Sequence, residues 1–140
     1  MFIETIDGID AVLSCKGNKI ALKSHFGKYV VAESDGSANA NRNHRRGWET
    51  FTVEKLGGDK ISLKSSHGKY LVAEENYEVN ANRAGIGGWE IFILERHEGG
   101  KIALKTAHGR YVVAENDGRL RADRTKAHAW EQFLPECIGR

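Results

Sequence analysis

The chain has 140 residues, with 21 Lys and Arg against 19 Asp and Glu, a net charge of +2. That length suits one domain with one core. Near-balanced charge argues against a nucleic-acid binder, which needs a concentrated basic excess. Nothing approaches the ~20 consecutive apolar residues of a membrane-spanning helix, so neither nucleic acid nor membrane is expected as a partner.

Residues 1–18 open the chain. Their start, MFIETIDGID, is acidic and lacks the apolar stretch of a secretion signal, and Met-Phe is no substrate for N-myristoylation. No Asn-x-Ser/Thr sequon occurs. These features predict a cytoplasmic protein with reduced thiols at Cys15 and Cys137; the two cysteines have no metal-binding spacing. Ile9 to Ser14 reads as an extra strand lying beside the last one.

From Lys19 the sequence repeats. KIALKSHFGKYVVAE begins at Lys19, KISLKSSHGKYLVAE at Lys60 and KIALKTAHGRYVVAE at Lys101, a period of 41 with no insertion or deletion. In the first unit Lys19–Lys23 alternates polar and apolar, the period of a half-buried strand. Gly27 suits a hairpin turn with φ > 0, and Gly68 and Gly109 are its equivalents. Tyr29–Glu33 is β-branched and aromatic, a second strand. Asp35-Gly36 turns the chain, Ser37–Arg42 forms a third strand, and Trp48–Lys55 a fourth with Phe51 and Val53 inward. Leu56 to Asp59 leads into the next unit. The units are 19–59, 60–100 and 101–140, and helical periodicity is absent.

This pattern predicts an all-β protein, specifically a β-trefoil: three four-stranded repeats of 41 residues with pseudo-threefold symmetry, six strands closing a barrel and three hairpins capping it. A propeller needs more blades. Pro135 replaces Val53 and Leu94, so the last strand should be distorted there, with the N-terminal segment over the gap.

Ile20, Leu22, Tyr29, Val31, Trp48 and Phe51, with their counterparts, are the expected core. Glu33, Glu74 and Glu115 recur with Arg42, Arg83 and Arg124, which predicts an ion pair within each cap hairpin. Glu49, Glu90 and Glu131 should bond to backbone in the loop beside each Trp. His25, His67 and His108 fall in exposed turns that point apart, so no metal site is expected. No nucleophile elbow, H-E-x-x-H or phosphate loop is present, and no asymmetric carboxylate pair, so no enzyme and no cofactor are expected.

The strings KIALK-x-x-x-G-[KR]-Y-[VL]-V-A-E, N-A-N-R or R-A-D-R, and W-E-x-F resemble those of the fascin family and of hisactophilin-like single trefoils, over Lys19 to about Phe133. The resemblance implies binding or cross-linking of actin filaments, or docking on another acidic protein surface. That docking would use basic outer faces carrying Lys19, Lys23, Lys28, Lys60, Lys64, Lys69, Lys101, Lys105 and Arg110. The chain would be a monomer or weak dimer at the cytoskeleton. The alternative is a lectin-like, carbohydrate-binding trefoil with up to three equivalent sites. Those sites would be built from Trp48, Trp89, Trp130, Asn39, Asn41, Asn80, Asn82 and Asp123.

Overall fold

The computed structural model describes residues 8–138. They form twelve strands and one short helix. The first unit contributes β1 (Lys19–Lys23), β2 (Tyr29–Ala32), β3 (Ala38–Arg42) and β4 (Phe51–Lys55). The second contributes β5 (Lys60–Lys64), β6 (Tyr70–Ala73), β7 (Val79–Arg83) and β8 (Phe92–Arg96). The third contributes β9 (Ile102–Lys105), β10 (Tyr111–Ala114), β11 (Leu120–Arg124) and β12 (Leu134–Ile138). The chain is therefore all-β, and every strand pairing is antiparallel.

Local chemistry sets the hairpins. After β1, the Ser24 hydroxyl accepts from the backbone N–H of Phe26 and Lys28, and Gly27 takes φ +76°. Ser65 and Thr106 play the same part in the later units. Each cap hairpin carries a register shift just after its tyrosine, a bulge that sharpens the local twist.

The first and last strands of the units carry the core. β1 pairs with β4 and β12, β5 with β4 and β8, and β9 with β8. Phe51, Phe92 and Phe133 have no exposure, and neither do Ile20, Ile61 and Ile102. Leu22, Leu63 and Leu104 lie among them. Each such side chain contributes roughly 1.5–3 kcal/mol by leaving water.

Several expectations need correction. Trp48 and Trp89 are not core residues: they are 41% and 37% exposed. Gly47–Glu49, Gly88–Glu90 and Ala129–Glu131 are 3-10 turns, and the fourth strands start only at the phenylalanine or beyond. The turn lifts each Trp out of the alternation that the sequence suggested.

Residues 1–7 of the N-terminal extension lie outside the described residues. The expected strand from Ile9 is instead α1 (Gly8–Leu13), with Ile9 and Val12 buried one turn apart. Pro135 leaves the ladder with β1 in register, opposite Leu22. Its effect falls on the other edge. The equivalent Leu94 donates its N–H to Asp59 O at 2.8 Å, a bond proline cannot make. The contact of the third unit's fourth strand with β9 shrinks to a single bridge, Ile102–Phe133. Gly8 packs there: a Cβ on it would run into the Gly100 carbonyl and lie 2.6 Å from Ile102 Cγ2.

The expected reduced thiols are also overturned. Cys15 and Cys137 form a disulfide, with Cα atoms 5.6 Å apart and a sequence separation of 122. It ties the segment after α1 to β12. No helix among the described residues is long and apolar enough to cross a membrane.

Closing so long a loop restricts the unfolded chain. Cys137→Ser should therefore lower unfolding stability by about 2–4 kcal/mol. Urea titration of the variant against the oxidised parent reads this directly, and equal midpoints would contradict it.

Candidate binding surface

The expected basic residues divide into three groups. Lys23, Lys64 and Lys105 are half-buried, with Nζ 5.7, 5.6 and 5.9 Å from the ring centres of Tyr29, Tyr70 and Tyr111. These are cation–π contacts. Each tyrosine hydroxyl then donates to a carboxylate, Glu136, Glu54 or Glu95, at 2.9, 2.6 and 2.6 Å. Lys19, Lys60 and Lys101 stay exposed at the starts of the first strands. Lys28, Lys69 and Arg110 stand after the turn glycines, where one unit meets the previous one. Lys28 is held by the Asn43 side chain, and Arg110 lies 5.4 Å from the Tyr77 ring centre.

Each tryptophan leans edge-on against a ring of another unit. Trp48 meets His67 at 4.9 Å, Trp89 meets His108 at 5.0 Å, and Trp130 meets Phe26 at 4.9 Å. The histidines are more than exposed turn residues. His67 Nε2 donates to Ala32 O at 3.0 Å and His108 Nε2 to Ala73 O at 3.1 Å. They clasp neighbouring units, and in the first unit Phe26 takes the histidine's place.

The Glu–Arg pairs form inside the hairpins as the repeat predicts. Arg42 Nη2 lies 2.7 Å from Glu33, Arg83 Nη2 2.5 Å from Glu74, and Arg124 Nη2 3.1 Å from Glu115. On the other side of each guanidinium sits a buried glutamate, Glu49, Glu90 or Glu131, at 3.8 to 4.0 Å. Those glutamates accept from the backbone N–H of Arg46, Gly87 and His128. One arginine thus braces two carboxylates and locks the cap to the Trp turn.

The amides offered as sugar ligands belong to the same network. Asn39 and Asn80 donate to Glu33 and Glu74, both at 3.1 Å. Asn41 and Asn82 accept from Arg42 and Arg83 at 2.5 and 2.6 Å. Asp123 accepts from Arg121 and Arg124. Burial pushes its carboxyl up, but the two guanidinium groups outweigh this and hold it below the usual range. These side chains therefore serve the hairpins themselves.

Two kinds of hollow stand out among the described residues. One, of about 460 Å³, adjoins Trp130 and is lined by Arg124, Lys126, His128 and Glu131. The other kind lies between units. The turn after β2 faces His67, Lys69 and Asn82 across about 300 Å³. The turn after β10 faces Phe26, Lys28 and Asn41 across about 130 Å³. The sequence signalled neither kind, because each joins residues from loops far apart in the chain. The one available sign was the exchange of Gly36 and Gly118 for Tyr77 in the second unit.

The family model of a domain of unknown function, DUF7910, matches residues 14–135, spanning all three units. No curated protein matches the chain.

The hydrogen bond to Glu95 raises the Tyr111 pKa to about 12. Tyr70 is raised by its bond to Glu54, and Tyr29 by burial and then Glu136. A raised folded value favours the neutral phenol, so this stabilisation is complete below the ordinary value of 10 and is lost as pH climbs to about 12. Absorbance titration of phenolate should show Tyr111 ionising last, together with alkaline unfolding; Tyr111→Phe should remove that late step. Ionisation of all three strand tyrosines near pH 10 in the folded protein would contradict the geometry.

Proposed function

The chain belongs to the DUF7910 family, and we propose that it is a non-enzymatic binding module, a β-trefoil whose surface tryptophans bind carbohydrate. Support for the trefoil comes from the pairings. β1, β4, β5, β8 and β9 follow one another, β12 lies on β1, and the Ile102–Phe133 bridge reaches back to β9. The bridges Ser37–Asn80, Asn39–Arg119 and Glu78–Arg121 join the three cap hairpins around one axis.

The observation that carries the carbohydrate reading is the exposure of Trp48 and Trp89. A large apolar ring held at the surface by a neighbouring unit is preorganised to stack on the apolar face of a sugar. Three such rings around one axis would favour multivalent glycans. A glycan array should give reproducible hits, with quenching or enhancement of tryptophan fluorescence. Trp48→Ala and Trp89→Ala should each weaken binding ~tenfold, equivalent to about 1.4 kcal/mol. A blank array removes the reading.

A second reading keeps filamentous actin as the partner, in the cytoplasm. It is favoured by Lys19, Lys60 and Lys101, an exposed lysine at the same position of each unit. Lys23, Lys64 and Lys105 contribute less to it, since each is engaged with a tyrosine. Co-sedimentation with filaments at low salt, weakened by salt and by alanine at the three exposed lysines, is the expected result. Absence of pelleting at low salt excludes it.

A further inference from the structure

The threefold repeat places three equivalent clefts where the cap turn of one unit meets the next. The turns play one role in all three: Gly36 O accepts from Ala81 N, Tyr77 O from Ala122 N and Gly118 O from Ala40 N, at 2.7 to 2.8 Å. All three turn residues have positive φ, +91°, +73° and +92°. Glycine adopts this freely, whereas a tyrosine is strained there. The clefts differ in what occupies them.

We infer that the cleft between the first and second units is a single binding subsite for one neutral saccharide ring, a proposal that rests on the carbohydrate reading above. The second cleft holds a side chain of the protein itself. Tyr77 occupies the position of Gly36 and Gly118, and its ring lies against Arg110, the counterpart of Lys28 and Lys69. In that cleft a six-membered aromatic ring thus sits over the cation. The third cleft is small, about 130 Å³, and its acidic wall is engaged. Both Asp117 carboxylate oxygens are taken by Arg119, and Lys28 is taken by Asn43.

The first cleft has space and unspent groups, about 300 Å³ beside Gly36. Asp35 uses only Oδ1, on the N–H and hydroxyl of Ser37, and these bonds hold its carboxyl below the usual range. Its Oδ2 therefore accepts. Asn82 receives a bond on Oδ1 from Arg83, which leaves its N–H₂ to donate. Lys69 is exposed and adds further donors. Acceptors and donors facing one ring-sized space suit hydroxyl groups, which do both. Charges of both signs in the walls disfavour a strongly anionic or cationic guest. His67 forms the side of the cleft and is itself held by Trp48, so a ligand here would be felt by that indole.

The test uses the isotope-labelled whole chain and four probes at millimolar concentration: methyl β-D-glucopyranoside, methyl β-D-galactopyranoside, methyl α-D-mannopyranoside and N-acetylglucosamine. One set of amide shifts should cluster at Gly36, His67 and Asn82, fit a single site there, and spare Gly118 and Asn41. Asp35→Ala and Lys69→Ala should each weaken binding about tenfold or more. Gly36→Tyr copies the second unit's occupant and should abolish binding with the circular dichroism spectrum unchanged; should that variant not fold, the two alanine variants decide. Shifts centred on the Trp130 hollow, or insensitive to Asp35 and Lys69, overturn this cleft and leave the carbohydrate reading standing. No shift with any probe overturns this cleft; only a blank glycan array removes the wider reading as well.

Discussion

Three phenylalanines, one per unit, share one buried centre. Phe51, Phe92 and Phe133 are wholly enclosed, and each unit's own strands are too few to enclose its share. Isolated hairpins are marginal in water, so each unit depends on its neighbours for its hydrophobic face. This mutual burial explains why the first strand and the phenylalanine of the Trp-Glu-x-Phe string barely vary between copies. It also explains why the cap turns vary freely: they lie outside the shared centre.

Between core and surface stands a second repeated device, the arginine braced by two glutamates. Exposed ion pairs are worth little. Here one glutamate of each trio is buried and also accepts backbone N–H groups of the Trp turn. The guanidinium therefore supplies geometry more than stability, fixing a cap hairpin to the loop that displays the tryptophan. The strand tyrosines do similar work, each ring lying under a lysine ammonium and each hydroxyl bonded to a carboxylate. Many residues that look like free surface charge in sequence are thus already partnered.

The period of 41, the four strands of each unit and the Glu–Arg pairs were legible because each follows from spacing or from identical residues at equivalent places. The tryptophans misled, because alternation in W-E-x-F suggested a strand where a 3-10 turn intervenes and rotates the ring outward. The N-terminal strand misled for a related reason: six residues are too few to distinguish periods of 2 and 3.6. Gly8 is specified by the carbonyl of Gly100, a contact no local pattern reveals. Compartment reasoning from the opening residues predicted free thiols, while the fold brings Cys15 and Cys137 within bonding range. The inter-unit clefts were illegible because their walls come from separate copies. Only the departure from the repeat, a tyrosine in place of two glycines, marked them.

The bonded corner at Cys15 and Cys137 has a topological meaning. The disulfide lies beside the pairing of β12 with β1, so the three repeats follow one another in a ring-like circuit. The exposed pair Gly57-Gly58, both at positive φ, is an equally natural place to cut. A gene rearranged to begin at that seam would trace the same ring from another starting point.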